Sequence, residues 1–262
     1  MDLKLLDKKE NKLTFLIKDS NPVFVNTLRR IIISDVPTIA IKKVAFTKNN
    51  SALFDEMLAH RLGLVPLTTD LSSYNMPDKC SCKSAGCAKC QLTITLKVEG
   101  PCSVYASDMK CSDPAIKIVY TRMLLVKLLK GQEVEFEATA SLGTGKEHAK
   151  FSPAHIFYKG YPKISLDKIK NPEEVIKSCP VDVFALDGKQ VKIVNLEACH
   201  LCMACVDVAD PQGSVMVEGS EKDFIFTVES WGKLPCEEIL TKALDLIDEK
   251  VDEFSSLLNK SE

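Results

Sequence analysis

At 262 residues, 45% of them apolar, the chain is long enough for one large domain or two to three small ones with real cores, which excludes a disordered tail. Lys plus Arg, 34, nearly balance Asp plus Glu, 36, so no strong basic field gathers nucleic acid and any contact with DNA is expected to be indirect. No uninterrupted apolar run approaches the roughly 18 residues that cross a bilayer, and the opening Met1-Asp2-Leu3-Lys4 lacks the pattern of a secretion signal, so the expectation is a cytoplasmic chain with no membrane contact.

Along the chain, residues 12–18 alternate, with Leu13, Phe15 and Ile17 on one side, the period-2 mark of a half-buried strand. A helix is predicted next. Asn21 suits its cap and Pro22 its first position, and Val25, Leu28 and Ile32 recur at helical spacing before the break near Pro37. Ile39 to Phe46 reads as a strand, and Asp55 to Leu62 as a short helix stopped by Gly63 with Pro66 beyond. Leu92, Ile94, Leu96 and Val98 alternate with polar residues, as do Val134, Phe136 and Ala138, so residues 43–165 read as mainly β with one wet face.

Around Asp167 the composition turns charged, with Pro172, and four further cysteines follow, which marks a small inserted domain. A strand resumes at Phe224 to Glu229. The last segment reads as a long helix with one apolar stripe: Leu240, Ala243 or Leu244, Ile247, Val251, Phe254 and Leu258. That stripe fits either this chain's own core or a partner.

Eleven cysteines are many for a reducing compartment, and eight fall in two groups with metal-ligand spacing rather than scattered as in a secreted disulfide scaffold. The stronger group is Cys199-x2-Cys202-x2-Cys205, preceded by Cys179-Pro180. Two-cluster ferredoxins carry C-x2-C-x2-C-x3-C-P runs, each giving three ligands to one cluster and its fourth Cys to the other. Here one run is lost, since residues 168–178 hold no cysteine, and the position that would have served its cluster is Ala209. The two absences agree, leaving Cys179, Cys199, Cys202 and Cys205 as one complete set for a 4Fe-4S cluster, or its 3Fe-4S form after oxidation. Val183 to Val194 reads as a hairpin with a type I′ turn at Asp187-Gly188. A zinc ion on the same four thiolates, or a metal-free remnant, is the competing reading.

The second group, Cys80-x-Cys82-x4-Cys87-x2-Cys90, puts four thiols in a loop with almost no apolar residues of its own, so a zinc ion would supply the order that packing does not. The alternative is a flexible loop of reduced thiols. Cys102, Cys111 and Cys236 lack partners at metal spacing and read as small core residues.

Gly143-Thr144-Gly145-Lys146 falls short of a phosphate loop, which needs Gly at Ala140 and Ser or Thr at Glu147. His60, His148, His155 and His200 are isolated, and no clustered Asp motif suits a catalytic magnesium pair. No active site of its own is expected.

Three stretches, Phe24-Val-Asn-Thr-Leu-Arg-Arg-Ile-Ile-Ile33 with Val36-Pro37, His60-Arg-Leu-Gly-Leu-Val-Pro-Leu67 and Gly143-Thr-Gly-Lys-Glu-His-Ala-Lys-Phe-Ser-Pro153, resemble the alpha-like, D-type subunits of archaeal RNA polymerase. The family is the counterpart of the third-largest eukaryotic subunit and of the bacterial alpha amino-terminal domain. The resemblance implies an α+β fold. A discontinuous dimerisation domain, residues 1–42 and 223–262, would carry an inserted β-rich domain (43–166) with a zinc loop, and a ferredoxin-like iron-sulfur domain (167–222).

It further implies a non-catalytic subunit whose first and last helices pair with the smaller L subunit. On that platform the N and P subunits and the large catalytic subunits would assemble, with DNA reached only through the complex. Arg29 and Arg30 would reach a neighbouring subunit or stay solvated, and residues 60–67 and 146–153 would be docking loops. With a single cluster, a folding staple or a redox-sensitive assembly switch is favoured. The alternative from another class is a ferredoxin-like electron carrier or the cluster subunit of an oxidoreductase.

Overall fold

The strand expected at residues 12–18 forms, but it is the second of the chain: β1 (Asp2–Lys9) precedes β2 (Lys12–Lys18) and pairs with it antiparallel, from Asp2 opposite Lys18 to Lys9 opposite Lys12. In β1 the leucines Leu3 and Leu5 lie on the surface among charged residues, so no buried period announces it. In β2, Leu16 is buried along with Leu13 and Ile17, which departs from simple alternation. The computed structural model describes residues 1–260.

Helix α1 (Pro22–Ser34) begins where expected. Asn21 Oδ1 accepts from the Phe24 N–H at 2.8 Å, a cap of the kind that contributes about 1 kcal/mol, and Val25, Leu28 and Ile32 are buried. β3 (Thr38–Asn49) and α2 (Asp55–Gly63) follow. Gly63 does not stop α2 as a left-handed cap. It is the last helical residue and is buried, and the helix closes through the Leu64 N–H bonding back to Arg61 and Leu62 carbonyls in right-handed geometry.

The chain continues through β4 (Gln91–Glu99), β5 (Cys102–Tyr105), β6 (Lys110–Cys111), β7 (Leu124–Leu128), β8 (Glu133–Gly143) and β9 (Ala154–Leu166). Then come α3 (Pro172–Ser178), β10 (Phe184–Asp187), β11 (Gln190–Ile193), α4 (Ala204–Asp207), β12 (Val215–Ser230) and α5 (Cys236–Asn259). Strands thus dominate, with five α-helices among the described residues, and the expected α+β class holds. Among the described residues no helix is long and apolar enough to cross a membrane.

The chain divides into two units. One comprises Leu28–Ile156 and the chain from Glu229 on. Its main sheet has the order β3-β8-β4-β6, with β5 and β7 as a second, two-stranded sheet. β8 runs antiparallel between β3 and β4, so that Phe136 faces Phe46 on one side and Leu96 on the other. The alternation read in β4 and β8 is the burial pattern found: Leu92, Ile94 and Leu96 with Val134, Phe136 and Ala138 form the core, joined by Leu58 and Leu62 of α2.

The glycines at 143 and 145 serve packing. A Cβ on Gly143 would lie 2.7 Å from the Phe151 ring, and one on Gly145 would lie 1.9 Å from the Ile33 carbonyl oxygen. That close approach lets the Lys146 N–H reach the Ser34 oxygen at 2.9 Å.

The other unit comprises Met1–Thr27 and Phe157–Val228, with a sheet of order β1-β2-β12-β9. The inserted segment after residue 166 builds a small core of its own from Val175, Val183, Phe184, Val215 and Val217. α3 was not expected; Pro172 opens it, and Asn171 ties it to the segment after α4, donating to the Val208 carbonyl at 2.8 Å and accepting from the Asp210 N–H at 2.9 Å.

The hairpin expected between residues 183 and 194 is present as β10 and β11, but its turn is shifted by one residue. Asp187 pairs with Gln190, so Gly188 and Lys189 are the central pair, and only Gly188 has positive φ, +64°. Glycine in the first central position matches a type II′ turn, not the type I′ turn expected at Asp187-Gly188.

Candidate metal centres

The loop from Cys80 to Cys90 has little apolar material, and its shape comes from backbone reversal. Lys83, Ser84 and Gly86 all take positive φ, and short turns close from Lys83 N–H to the Cys80 oxygen (2.9 Å), Ala85 N–H to the Cys82 oxygen (3.1 Å) and Cys90 N–H to the Cys87 oxygen (2.9 Å). These reversals bring the four expected thiols together. Cys80 Sγ lies 3.6 Å from Cys87 Sγ, Cys82 Sγ 3.5 Å from Cys90 Sγ, and Cys87 Sγ 3.8 Å from Cys90 Sγ. All four sulfurs fall within 4.8 Å of one another.

A tetrahedral ion with metal–sulfur bonds of about 2.3 Å separates its sulfurs by about 3.8 Å, so this spacing suits one four-coordinate metal. Cys82 is brought down to about 7 chiefly by the Gly86 backbone N–H, whereas burial pushes Cys90 up to about 12. Four thiols in contact lose all their protons only when a cation offsets the charge, which is what a divalent ion supplies.

The second quartet is built from separate elements. Cys179 follows α3, and the Val183 N–H points at its sulfur from 3.4 Å. Cys199 leaves a 3₁₀ turn (Leu196–Ala198) and is buried, Cys202 is exposed, and Cys205 is the buried second residue of α4. Between them Leu201 and Met203 take positive φ, 60° and 65°, so the backbone reverses at each and the three cysteines do not fan out as they would on a strand or straight helix.

The Cys205 thiol is pushed up first by burial and then by the neighbouring charges of Cys199, Cys179 and Cys202, so the upstream cysteine sits in the electrostatic neighbourhood of the trio. Cys199 and Cys205 belong to the small core, with Cys179 packed against it. Three thiols in or against this small apolar core, one of them receiving a backbone N–H, with Cys202 at its exposed edge, are a donor set that suits a cluster spreading its charge over several atoms. Among the described residues only the 80–90 quartet is gathered tightly enough for a single ion.

Lys159 was not singled out by the sequence. It lies in β9, forty residues before Cys199, with no spacing rule to link the two, yet its Nζ donates to the Cys199 carbonyl at 2.6 Å and the Glu197 carbonyl at 2.7 Å. Of the three cysteines outside the two quartets, Cys236 is buried, while Cys102 and Cys111 are half-buried against the main core.

The two motif segments are partly anchored. Leu62, Val65 and Leu67 are buried while His60, Arg61 and Leu64 face outward, and Arg61 donates to the Leu124 carbonyl at 2.6 Å. Phe151 is buried, and its carbonyl accepts from Thr38 Oγ1 at 2.6 Å.

On α5 the apolar residues separate into two groups. Cys236, Ile239 and Ala243 are buried, whereas Leu244, Val251, Phe254, Leu257 and Leu258 are exposed, Phe254 by 64% and Val251 by 59%. Next to the expected Leu240, which is half-buried, the fully buried position is Ile239.

Residues 39–156 match the family described as RNA polymerase Rpb3/RpoA insert domain. Over its whole length the chain is 39% identical to DNA-directed RNA polymerase subunit Rpo3 of Methanosphaera stadtmanae, covering 100% of both chains. It is 36% identical to the Rpo3 subunit of Archaeoglobus fulgidus, covering 99% of this chain and 98% of that one. The Rpo3 subunit of Pyrococcus furiosus is 35% identical, with 99% and 98% covered.

Proposed function

This chain belongs to the Rpo3 family of archaeal DNA-directed RNA polymerase subunits, and from that premise we propose that it pairs with the small alpha-like L subunit to form the platform on which the enzyme assembles. The observation that carries the reading is the stretch of α5 from Leu244 onward, where Leu244, Val251, Phe254, Leu257 and Leu258 stay exposed. An apolar stripe of that length on one helix is the kind of surface a partner helix covers. Residues 1–42 with 223–262 form the dimerisation part, residues 43–166 the β-rich insert and residues 167–222 the ferredoxin-like insert. The N and P subunits and the large catalytic subunits add to the pair, phosphodiester synthesis stays with the large subunits, and the complex works in the cytoplasm.

Zinc is the occupant we assign to Cys80, Cys82, Cys87 and Cys90, on the strength of sulfur spacings of 3.5 to 3.8 Å. One 4Fe-4S cluster, which oxidation would turn into the 3Fe-4S form, is assigned to Cys179, Cys199, Cys202 and Cys205. Its work is to hold the insert folded, or to make assembly respond to oxidation. A free-standing electron carrier is not favoured, because the match runs through the entire length of polymerase subunits.

The test is coexpression with the L subunit. A stable 1:1 heterodimer is expected, and a well-behaved monomer that ignores its intended partner would remove the reading.

A further inference from the structure

Lys159 and its neighbour Gly160 sit where the cysteine trio meets the sheet. The Lys159 ammonium donates to two carbonyls of the turn that delivers Cys199, those of Glu197 (2.7 Å) and of Cys199 itself (2.6 Å). Gly160 lies close against β12: a Cβ there would stand 2.7 Å from the Ser220 oxygen and 3.2 Å from Gly219 Cα. A Cβ on Gly219 would in turn stand 3.0 Å from Leu201 Cδ1. The two glycines therefore leave bare backbone on β9 and β12, and Leu201, the left-handed residue between Cys199 and Cys202, rests on it. One side chain of the sheet fastens the loop while one side chain of the loop is seated on the sheet.

We propose that Lys159 is the positioning residue of the cluster loop. It fixes the carbonyls on either side of Ala198 so that the Cys199 sulfur is held toward its partners before the cluster arrives, and it sets a positive charge beside the thiolate-bound cluster afterwards. The proposal rests on the iron-sulfur reading of Cys179, Cys199, Cys202 and Cys205. An ammonium suits both tasks, since it offers three donors in free rotation to carbonyls at uneven angles and carries its charge in a small volume. A fixed cation close to an anionic cluster favours the electron-richer state, so removing it moves the reduction potential to more negative values.

The full chain, purified without oxygen and loaded with ferric iron and sulfide in the presence of a thiol reductant, is compared with K159M, K159R and L201A. Iron and sulfide per chain, the half-time of cluster loss to a chelator, and the reduction potential are measured. K159M is expected to lose its cluster about tenfold faster than the unaltered chain and to have a more negative potential. K159R should stay within about twofold, and L201A should speed the loss severalfold with little change in potential.

Equal half-times and potentials for K159M and the unaltered chain would overturn the positioning role while leaving the cluster in place. An unaltered chain that takes up zinc, or nothing, at these cysteines would overturn the cluster reading and this proposal together. Should K159M fail to fold, L201A decides through the half-time: an unchanged value overturns the seat on which the proposal stands.

Discussion

Lys250 Nζ lies 2.6 Å from Asp35 Oδ2, so the middle of the last helix is fastened to the turn that ends the first. Burial alone would raise the Asp35 carboxyl, but the hydrogen bonds from Lys250 and Ser34 and the charges of Lys250 and Lys146 outweigh it and hold the group below its ordinary 3.8. A carboxyl lowered on folding contributes stability that is present above its unfolded value and is lost as the pH falls through the folded one. Because Lys250 is more than half exposed, the pair contributes only about 0.5 to 1 kcal/mol. Lys250→Met should therefore lower the melting temperature by roughly 1–3 °C near neutrality, with the gap closing as the pH is taken below about 4. Thermal scans of both chains across that range check it, and a gap that persists in acid would contradict it.

Lys233 carries a larger pH signature of the same sign, in an alkaline window. Its side chain is buried, and burial, helped by the nearby Lys150 cation, brings the ammonium down to about 8 from 10.5. Lys150 and Ser152 carbonyls and Thr38 Oγ1 accept its protons. An amine lowered on folding binds fewer protons in the folded than in the unfolded chain between those two values, so stability should rise with pH from about 8 to about 10.5. The shift corresponds to at most about 3 kcal/mol. Lys233→Met should remove that slope, and denaturant unfolding at matched pH values compares the two chains. Parallel curves would show that the three acceptors already offset the burial.

Much of this fold was legible because burial here follows simple periods. Leu92, Ile94 and Leu96 announce β4, Val25, Leu28 and Ile32 announce α1, and both elements form at the positions their periods mark. The elements that escaped lack such a period. β1 keeps Leu3 and Leu5 on the surface, and α3 has only seven residues, so its single buried residue, Val175, forms no repeat.

The thiols of the 80–90 loop could be gathered from the sequence because their spacing is local and the reversing residues lie between them. Lys159 could not, because its partners are carbonyls, which every residue has. The fate of the α5 stripe was also undecided in the sequence: the same leucine spacing serves a core or a partner, and only the folded chain shows burial ending at Ala243.

The zinc assignment predicts one zinc per chain that survives dialysis and leaves when a thiol is lost. Cys82→Ser or Cys90→Ser should abolish that stoichiometry and make the segment from Met76 to Gln91 the first point of cleavage in limited proteolysis, because little else orders it. Thermal stability of the β-sheet core should change little, since the loop lies outside it. Full zinc retention in both variants would rule the site out.

For the stripe, paired replacement of Val251 and Phe254 by Asp should abolish pairing with the L subunit, as both side chains are more than half exposed and make no contribution to this chain's own core. Helix content and zinc content should stay unchanged in circular dichroism and metal analysis. Undiminished pairing, judged by gel filtration of the coexpressed chains, would move the interface elsewhere.

The proposal of an assembly subunit with two kinds of metal centre is tested most directly by anaerobic copurification with the L subunit, followed by iron, sulfide and zinc analysis. A 1:1 heterodimer holding about four iron, four sulfide and one zinc is the predicted result. A chain that purifies alone, or a heterodimer in which zinc occupies both cysteine quartets and sulfide is absent, would contradict it.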